Sequence, residues 1–242
     1  MKCIVLVGGY ATRMYPLTVN FPKALLEING TTVLDHLLQN VFSCGIIDEY
    51  ILVTNDTFYE QFITWKKNNN YQEKITIVSD GSNSSTNKIG ATSAVIKTIK
   101  DKNIDDDILI IAGDNILDFS LDYIFEDFIN NDSSCVMFYE EYDKLKLSKT
   151  GVIELDLENY IISLEEKPCF PKTNYAVPPF YWLKKHDVKR ILFMFDDTKK
   201  VDSLGAIIIN LCKNTKIKAI PMIGKRYDIG SIEEYKKIIG RR

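Results

Sequence analysis

A chain of 242 residues of which 45% are apolar can bury a full core, so an intrinsically disordered protein is excluded. Thirty Lys plus Arg against 33 Asp plus Glu leave a net charge of -3, which argues against a surface built for nucleic acid while leaving room for a local basic pocket that takes small anions. No apolar run approaches the roughly twenty residues that span a bilayer, and Met1–Gly8 is too short for a secretory leader, so a cytoplasmic protein with no membrane partner is expected. Five scattered cysteines, Cys3, Cys44, Cys135, Cys169 and Cys212, form no Cys-x-x-Cys pair and read as buried fillers.

The apolar run Lys2–Val7 breaks into Gly8-Gly9, the pattern of a buried parallel strand entering a glycine turn. Thr32 and Asp35 form a capping box for a helix whose apolar face is Leu34, Leu37, Leu38, Val41 and Phe42, closed by Gly45. A strand at Tyr50–Val53, a helix at Thr57–Lys67 and a strand at Lys74–Val78 continue the alternation, which predicts a doubly wound α/β fold with a mostly parallel sheet flanked by helices. Ser79–Gly90 is too polar and turn-rich to pack and sits after a strand, where open α/β sheets hold ligands. A helix at Gly90–Lys100 precedes a second buried strand, Ile108–Ala112, stopped by Gly113-Asp114-Asn115. Leu121, Ile124, Phe125, Phe128 and Ile129 mark another amphipathic helix. Strand-like stretches then dominate from Ser134 to Leu183, with Ile153, Leu155 and Leu157 in period two, before helices return near Asp187–Phe195 and Ser203–Cys212. Phe58, Phe62 and Trp65 lie at helical spacing and pack on the sheet, whereas Tyr175, Phe180, Tyr181 and Trp182 fit core or a ligand platform equally. No repeat, linker or second core is evident, and a single domain over residues 1–242 is expected.

The segment from Gly8 to Lys23 places two glycines, Arg13 and Lys23 in one loop after the first strand, exposed backbone N–H groups plus cations suited to a polyphosphate. It matches neither the Walker A pattern nor G-x-G-x-x-G. An ordinary turn with solvated charges is the bland reading of Gly-Gly-Arg alone. The whole segment, Gly8-Gly9, Thr12-Arg13-Met14, Pro16-Leu17-Thr18 and Pro22-Lys23-Ala24-Leu25, resembles the signature of the sugar-1-phosphate nucleotidyltransferases, with Ala11 where that family has glycine. If that position needs a positive φ, alanine is strained there. The likeness continues through Gly90-Ala-Thr, Ile111-Ala-Gly-Asp-Asn, Gly151-Val-Ile-Glu, Glu165-Glu-Lys-Pro, Asn174-Tyr-Ala-Val and Tyr227-Asp-Ile-Gly, in order and nearly end to end, closest to the thymidylyl and uridylyl branch.

This resemblance implies a Rossmann-like α/β fold of the nucleotide-diphospho-sugar transferase type with a β-rich sugar-binding insertion. It implies Mg²⁺-dependent transfer of a nucleotidyl group, from dTTP or UTP, to a glucose 1-phosphate-like acceptor, giving an NDP-sugar and pyrophosphate. By position, Gly8, Gly9, Thr12, Arg13, Lys23, Lys88, Gly90 and Asp114 would bind the nucleotide, with Arg13 on the pyrophosphate portion and Lys23 on the α-phosphate. Asn115, Gly151, Glu166, Lys167, Asn174 and Val177 would bind the sugar phosphate, and Asp114 and Asp228 would hold the metal. Arg13, Lys23 and Lys167 form the catalytic set, for joining two anions demands charge neutralisation and alignment and no protein nucleophile. The acceptor phosphate is already ionised, its second pKa being about 6, so no general base is needed either. Read alone, Asp114 is equally a cap, Asp228 a turn residue, Lys167 a surface lysine and Glu166 a solvated strand residue. Pro178-Pro179 removes two backbone donors where relatives carry a small residue and glycine, which points to an acceptor differing from glucose at one hydroxyl. A cytidylyl- or guanylyltransferase, or a non-catalytic nucleotide-sensing subunit, is the alternative. The C-terminal acyltransferase domain of other branches is not expected, and a homo-oligomer is left open.

Overall fold

The computed structural model describes residues 1–69, 74–195 and 200–240. The opening apolar run forms β1 (Lys2–Leu6), with Cys3, Ile4 and Val5 fully buried. A loop with two short 3-10 turns, Thr12–Met14 and Lys23–Leu25, leads into β2 (Glu27–Ile28) and β3 (Thr31–Thr32), a small hairpin. At the start of α1 (Val33–Phe42), Thr32 Oγ1 accepts from the Asp35 amide at 3.0 Å and donates to its carboxylate at 2.6 Å, the reciprocal cap that the sequence spells. Leu34, Leu37, Leu38 and Val41 are fully buried along its inner face. β4 (Glu49–Thr54), α2 (Tyr59–Asn68) and β5 (Ile75–Ser79) continue the alternation, with Phe58, Phe62 and Trp65 all buried.

Next come α3 (Ala91–Asp101), β6 (Ile108–Ala112), β7 (Asn115–Leu117) and α4 (Asp122–Asn130). The strand-rich stretch resolves into β8 (Cys135–Glu140), a short α5 (Lys144–Leu147), β9 (Gly151–Leu155), β10 (Ile161–Glu166), β11 (Tyr175–Val177) and β12 (Phe180–Leu183). α6 (Lys185–Met194), α7 (Gly205–Leu211), β13 (Lys218–Pro221), β14 (Arg226–Asp228) and α8 (Ile232–Ile239) complete the chain order.

Two compact units are formed, the first from Met1–Lys88, Ala112–Asp122 and Gly224–Arg242, the second from Ile89–Ile111 and Tyr123–Ile223. In the first, β1 pairs with β4 and β4 with β5, all parallel, as continuous apolar runs separated by helices dictate. The short antiparallel pair β7–β14 lies in the same unit. Met14, Leu26, Ile28, Val33 and Ile229 form a small core there, against which Ala11, Ile116, Ile232, Tyr235 and Ile238 pack, so the glycine-rich loop is fastened to α8. In the second unit the strand order is β10-β9-β11-β8-β12-β6, antiparallel at each step, with β13 parallel on β8. That is the expected β-rich insertion. Phe180, Tyr181 and Trp182 are buried in it, and burial followed by the Glu166 charge holds the Tyr181 phenol well above its ordinary pKa.

Three expectations need correction. Ile129, in the last turn of α4, is exposed, and only Ile124, Phe125 and Phe128 form the buried face of that helix. The period-two pattern of Ile153 and Leu155 does not extend to Leu157, which is fully exposed. There the Asp156 carboxylate accepts the amides of Glu158 and Tyr160, both at 2.9 Å, and Asn159 turns the chain with φ 64°. Cys169 is exposed rather than buried, because Pro168 and Pro171 keep its segment out of any strand; all five cysteines are free thiols. Among the described residues no helix is long and apolar enough to cross a membrane.

Candidate functional site

In the first unit the chain leaves β1 and turns at Gly8, whose missing side chain is required: a Cβ would stand 3.1 Å from the Thr54 carbonyl carbon and 3.2 Å from the Asn55 nitrogen. Buried Asn55 fixes this turn, donating to the Gly8 carbonyl at 2.8 Å and accepting from the Phe58 amide at 2.9 Å. Gly9 meets nothing within 4 Å, and Thr12 and Arg13 are exposed. Ala11 has φ 45° and ψ 44°, the left-handed conformation in which its methyl is strained, and its carbonyl accepts from the buried Thr18 hydroxyl at 2.9 Å. The loop thus places an alanine in a conformation that glycine adopts without strain.

Lys23 ends this loop with its ammonium on the Asp114 carboxylate, their side chains 15% and 30% exposed. Although burial works against ionisation, the Lys23 charge and hydrogen bond, followed by Arg226, hold the Asp114 carboxyl below its ordinary pKa. Asp228 lies on β14 directly opposite Asn115, and the Ile229 amide donates to the Asp114 carbonyl at 3.2 Å, so the two aspartates come together from distant parts of the chain. Desolvation, then the Asp114 charge, hold the Asp228 carboxyl above its ordinary pKa, although half of its side chain is open to solvent. Two neighbouring carboxylates whose mutual repulsion Lys23 and Arg226 offset only in part suit a divalent cation. Among the described residues no cluster of three or more His, Cys, Asp or Glu groups forms a closed metal cage. The two carboxylates by themselves are hard oxygen donors of the kind Mg²⁺ takes, an ion commonly held by one or two carboxylates.

Asn115 is fully buried, its amide donating to the Ala112 carbonyl and the Asp114 carboxylate, both at 2.9 Å, while its oxygen accepts from Arg226. Its side chain braces Asp114 directly and holds Arg226, which stands beside Asp228. Arg226, 3.8 Å from the Asp228 carboxylate, went unnoticed in the sequence, although it stands only two residues before that aspartate.

The second unit brings three of the expected sugar-site residues into one cross-strand row. Glu166 on β10 is opposite Gly151 on β9, which is opposite Val177 on β11. Lys167 follows immediately with φ 50°, its amide donating to the Thr150 carbonyl at 2.9 Å and its side chain exposed. The Thr150 hydroxyl donates to the Val177 carbonyl at 3.2 Å and so ties the two sides of the row together. Asn174 stands exposed one residue before β11, its carbonyl accepting from the Glu141 amide at 2.8 Å.

Lys88 and Gly90 are placed differently. Lys88 is exposed at the end of a loop whose polar residues largely satisfy its own backbone: Asp80 accepts the amide and hydroxyl of Ser82, and Asn87 the amides of Asn83 and Ser84. Gly90, φ 93°, lies against the 201–202 backbone, where a Cβ would be 2.5 Å from the Val201 oxygen.

A family model described as nucleotidyl transferase matches residues 2–240. The bifunctional protein GlmU of Methanocaldococcus jannaschii is 31% identical over 238 residues, covering 95% of this chain and 51% of that protein. The UTP–glucose-1-phosphate uridylyltransferase AglF of Haloferax volcanii is 25% identical over 236 residues, covering 97% of this chain and 93% of that one. A crystal structure of UDP-glucose pyrophosphorylase complexed with UDP-glucose shares the fold at TM-score 0.80 and 24% identity, covering 98% of this chain and 96% of that chain. The chain spans about half the length of the first curated relatives it matches.

Proposed function

Because the chain belongs to the nucleotidyl transferase family, we propose that residues 1–242 act as a single domain that transfers a nucleotidyl group from an NTP to a sugar 1-phosphate. An oxygen of the sugar phosphate attacks the α-phosphorus, the α–β bridging bond breaks, and pyrophosphate leaves with the electron pair, giving an NDP-sugar. The observation that carries this reading is the convergence of Lys23, Asp114 and Asp228 in one unit behind a glycine turn that exposes Arg13. That is a cation and carboxylate arrangement for handling phosphates, with no nucleophile or histidine in it.

The Lys23 ammonium has three donors, so it holds Asp114 and an α-phosphate oxygen together. Gly8, Gly9 and Thr12 present backbone to the triphosphate, and Arg13 neutralises charge that builds on the departing pyrophosphate. Asp114 and Asp228 would hold Mg²⁺, which supplies neutralisation of the phosphate oxygens when bound. Lys167 anchors the acceptor phosphate, Glu166 accepts hydrogen bonds from sugar hydroxyls, and Gly151, Asn174 and Val177 line the pocket. Lys88 and Gly90 belong to the base side, and Asn115 orients the aspartates. The uridylyltransferase and the UDP-glucose-bound fold neighbour support UTP as donor and a hexose 1-phosphate as acceptor, and the likeness of the signature to the thymidylyl and uridylyl branch keeps dTTP beside it. Pyrophosphate release from each of five nucleoside triphosphates, paired with glucose, galactose, mannose and N-acetylglucosamine 1-phosphates and with Mg²⁺, tests the proposal. Release that depends on both substrates is expected, and none with any pair would refute it.

A further inference from the structure

Gly205, the first residue of α7, makes a close approach that nothing in the sequence motifs announces. A Cβ built on it would stand 1.9 Å from Glu166 Oε1, 2.8 Å from Cδ and 3.0 Å from Cγ, and these are its three nearest atoms. The whole end of the Glu166 side chain therefore lies across the bare α-carbon of Gly205. Gly151, the cross-strand partner of Glu166, flanks the same carboxyl more loosely, at 3.8 and 3.9 Å from where its own Cβ would be. Gly205 is buried, and its φ is not in the left-handed region, so its backbone conformation does not call for glycine. What calls for it is the volume that Glu166 fills.

We propose that Gly205 is a positioning residue for the acceptor site: by lacking a side chain it fixes the Glu166 carboxylate in the rotamer that receives the sugar hydroxyls. This rests on the nucleotidyltransferase reading for the identity of the ligand, a hexose 1-phosphate, though not for the contact itself. An added methyl leaves the α7 backbone no reason to move, since its nearest neighbours all belong to one flexible side chain, so Glu166 swings away and the acceptor loses its partner.

The test is a cycle of four proteins, wild type, Gly205→Ala, Glu166→Ala and the double variant, read by thermal melting and by steady-state kinetics with each substrate varied in turn. Gly205→Ala should raise the KM for the sugar phosphate about 10-fold or more, the usual cost of a lost hydrogen bond to a charged group, and leave the nucleotide KM within about twofold. The double variant should be no worse than Glu166→Ala in acceptor kinetics, because the methyl then has nothing to displace. In melting, Gly205→Ala should be less favourable with Glu166 present than in its absence, where alanine at this ordinary helical φ leaves Tm unchanged or slightly raised. Unchanged acceptor kinetics in a folded Gly205→Ala, or losses that add in the double variant, would overturn the proposal. If Gly205→Ala does not fold, recovery in the double variant supports the contact, and its absence refutes it. If wild type turns over no sugar phosphate, the functional reading has failed, while the melting cycle still decides whether Gly205 positions Glu166.

Discussion

Gly90→Ala is the perturbation whose cost the structure makes most calculable. With φ 93° and ψ 154°, Gly90 occupies a region essentially closed to side chains, and forcing alanine into it costs about 1–3 kcal/mol. The new Cβ would also lie 2.5 Å from the Val201 oxygen and 2.7 Å from Asp202 Cα, backbone that cannot swing aside like a side chain. Those carbonyls receive the amides that start α3: Ala91 donates to Asp202 at 3.3 Å, and Thr92 and Ser93 to Val201 at 3.1 and 3.4 Å. Pushing the 201–202 backbone away forfeits at least one of these bonds, about 0.5–1.5 kcal/mol each. The sum, about 1.5–4.5 kcal/mol, is a large part of a typical stability and corresponds to a fall in Tm of about 3–18 °C for a chain of this size. Differential scanning calorimetry reads it directly. A Tm within about 2 °C of wild type, or a loss confined to the nucleotide KM, would refute the packing argument and place this glycine at the base alone.

Asp228 is held above its unfolded pKa, so between the two values the native state binds more protons than the unfolded chain and stability falls as pH rises through that window. Asp228→Asn should therefore melt higher than wild type at pH 7 in metal-free buffer, converge with it as pH drops below the unfolded value, and lose turnover; equal or lower melting at pH 7 would remove the repulsion argument. Arg13→Ala should depress activity chiefly when the nucleotide is varied and Lys167→Ala chiefly when the sugar phosphate is varied, and identical losses with both substrates for both variants would mean that the substrates are assigned to these two residues wrongly. Ala11→Gly releases left-handed strain of about 1–2 kcal/mol, but loses a methyl worth about 0.8 kcal/mol and about 0.4–1 kcal/mol of unfolded-state entropy. The terms nearly cancel, so a Tm change beyond about 4 °C in either direction would show that one has been misjudged.

Periodicity and capping chemistry carried most of the fold because they are local. The Thr32–Asp35 cap, the α1 face and the apolar strands β1, β4 and β6 stand within a residue or two of where the pattern places them. The pattern failed where a turn interrupts it, at Leu157, since hydrophobicity alone cannot say that the Asp156 side chain will capture the next amides. Cys169 departs from expectation for a related reason: cysteine is a buried residue on average, but a segment broken by prolines offers nothing to bury it against.

The site divides along the same line. Lys23, Asp114 and Asp228 were legible because charge in a motif is visible as residue type, and the structure brings the three together. Arg226, Thr150 and Gly205 were not, because their importance arises only across space. Arg226 matters through its bond to Asn115, Thr150 through its carbonyl and its hydroxyl, which bond the Lys167 amide and the Val177 carbonyl, and Gly205 through an empty volume that Glu166 occupies. A glycine required by its own φ can be suspected from turn chemistry, as at Gly90; a glycine required by another residue's side chain leaves no local trace. The groups expected to touch phosphate are thus written in the sequence, while those that aim them at it emerge only from the folded chain.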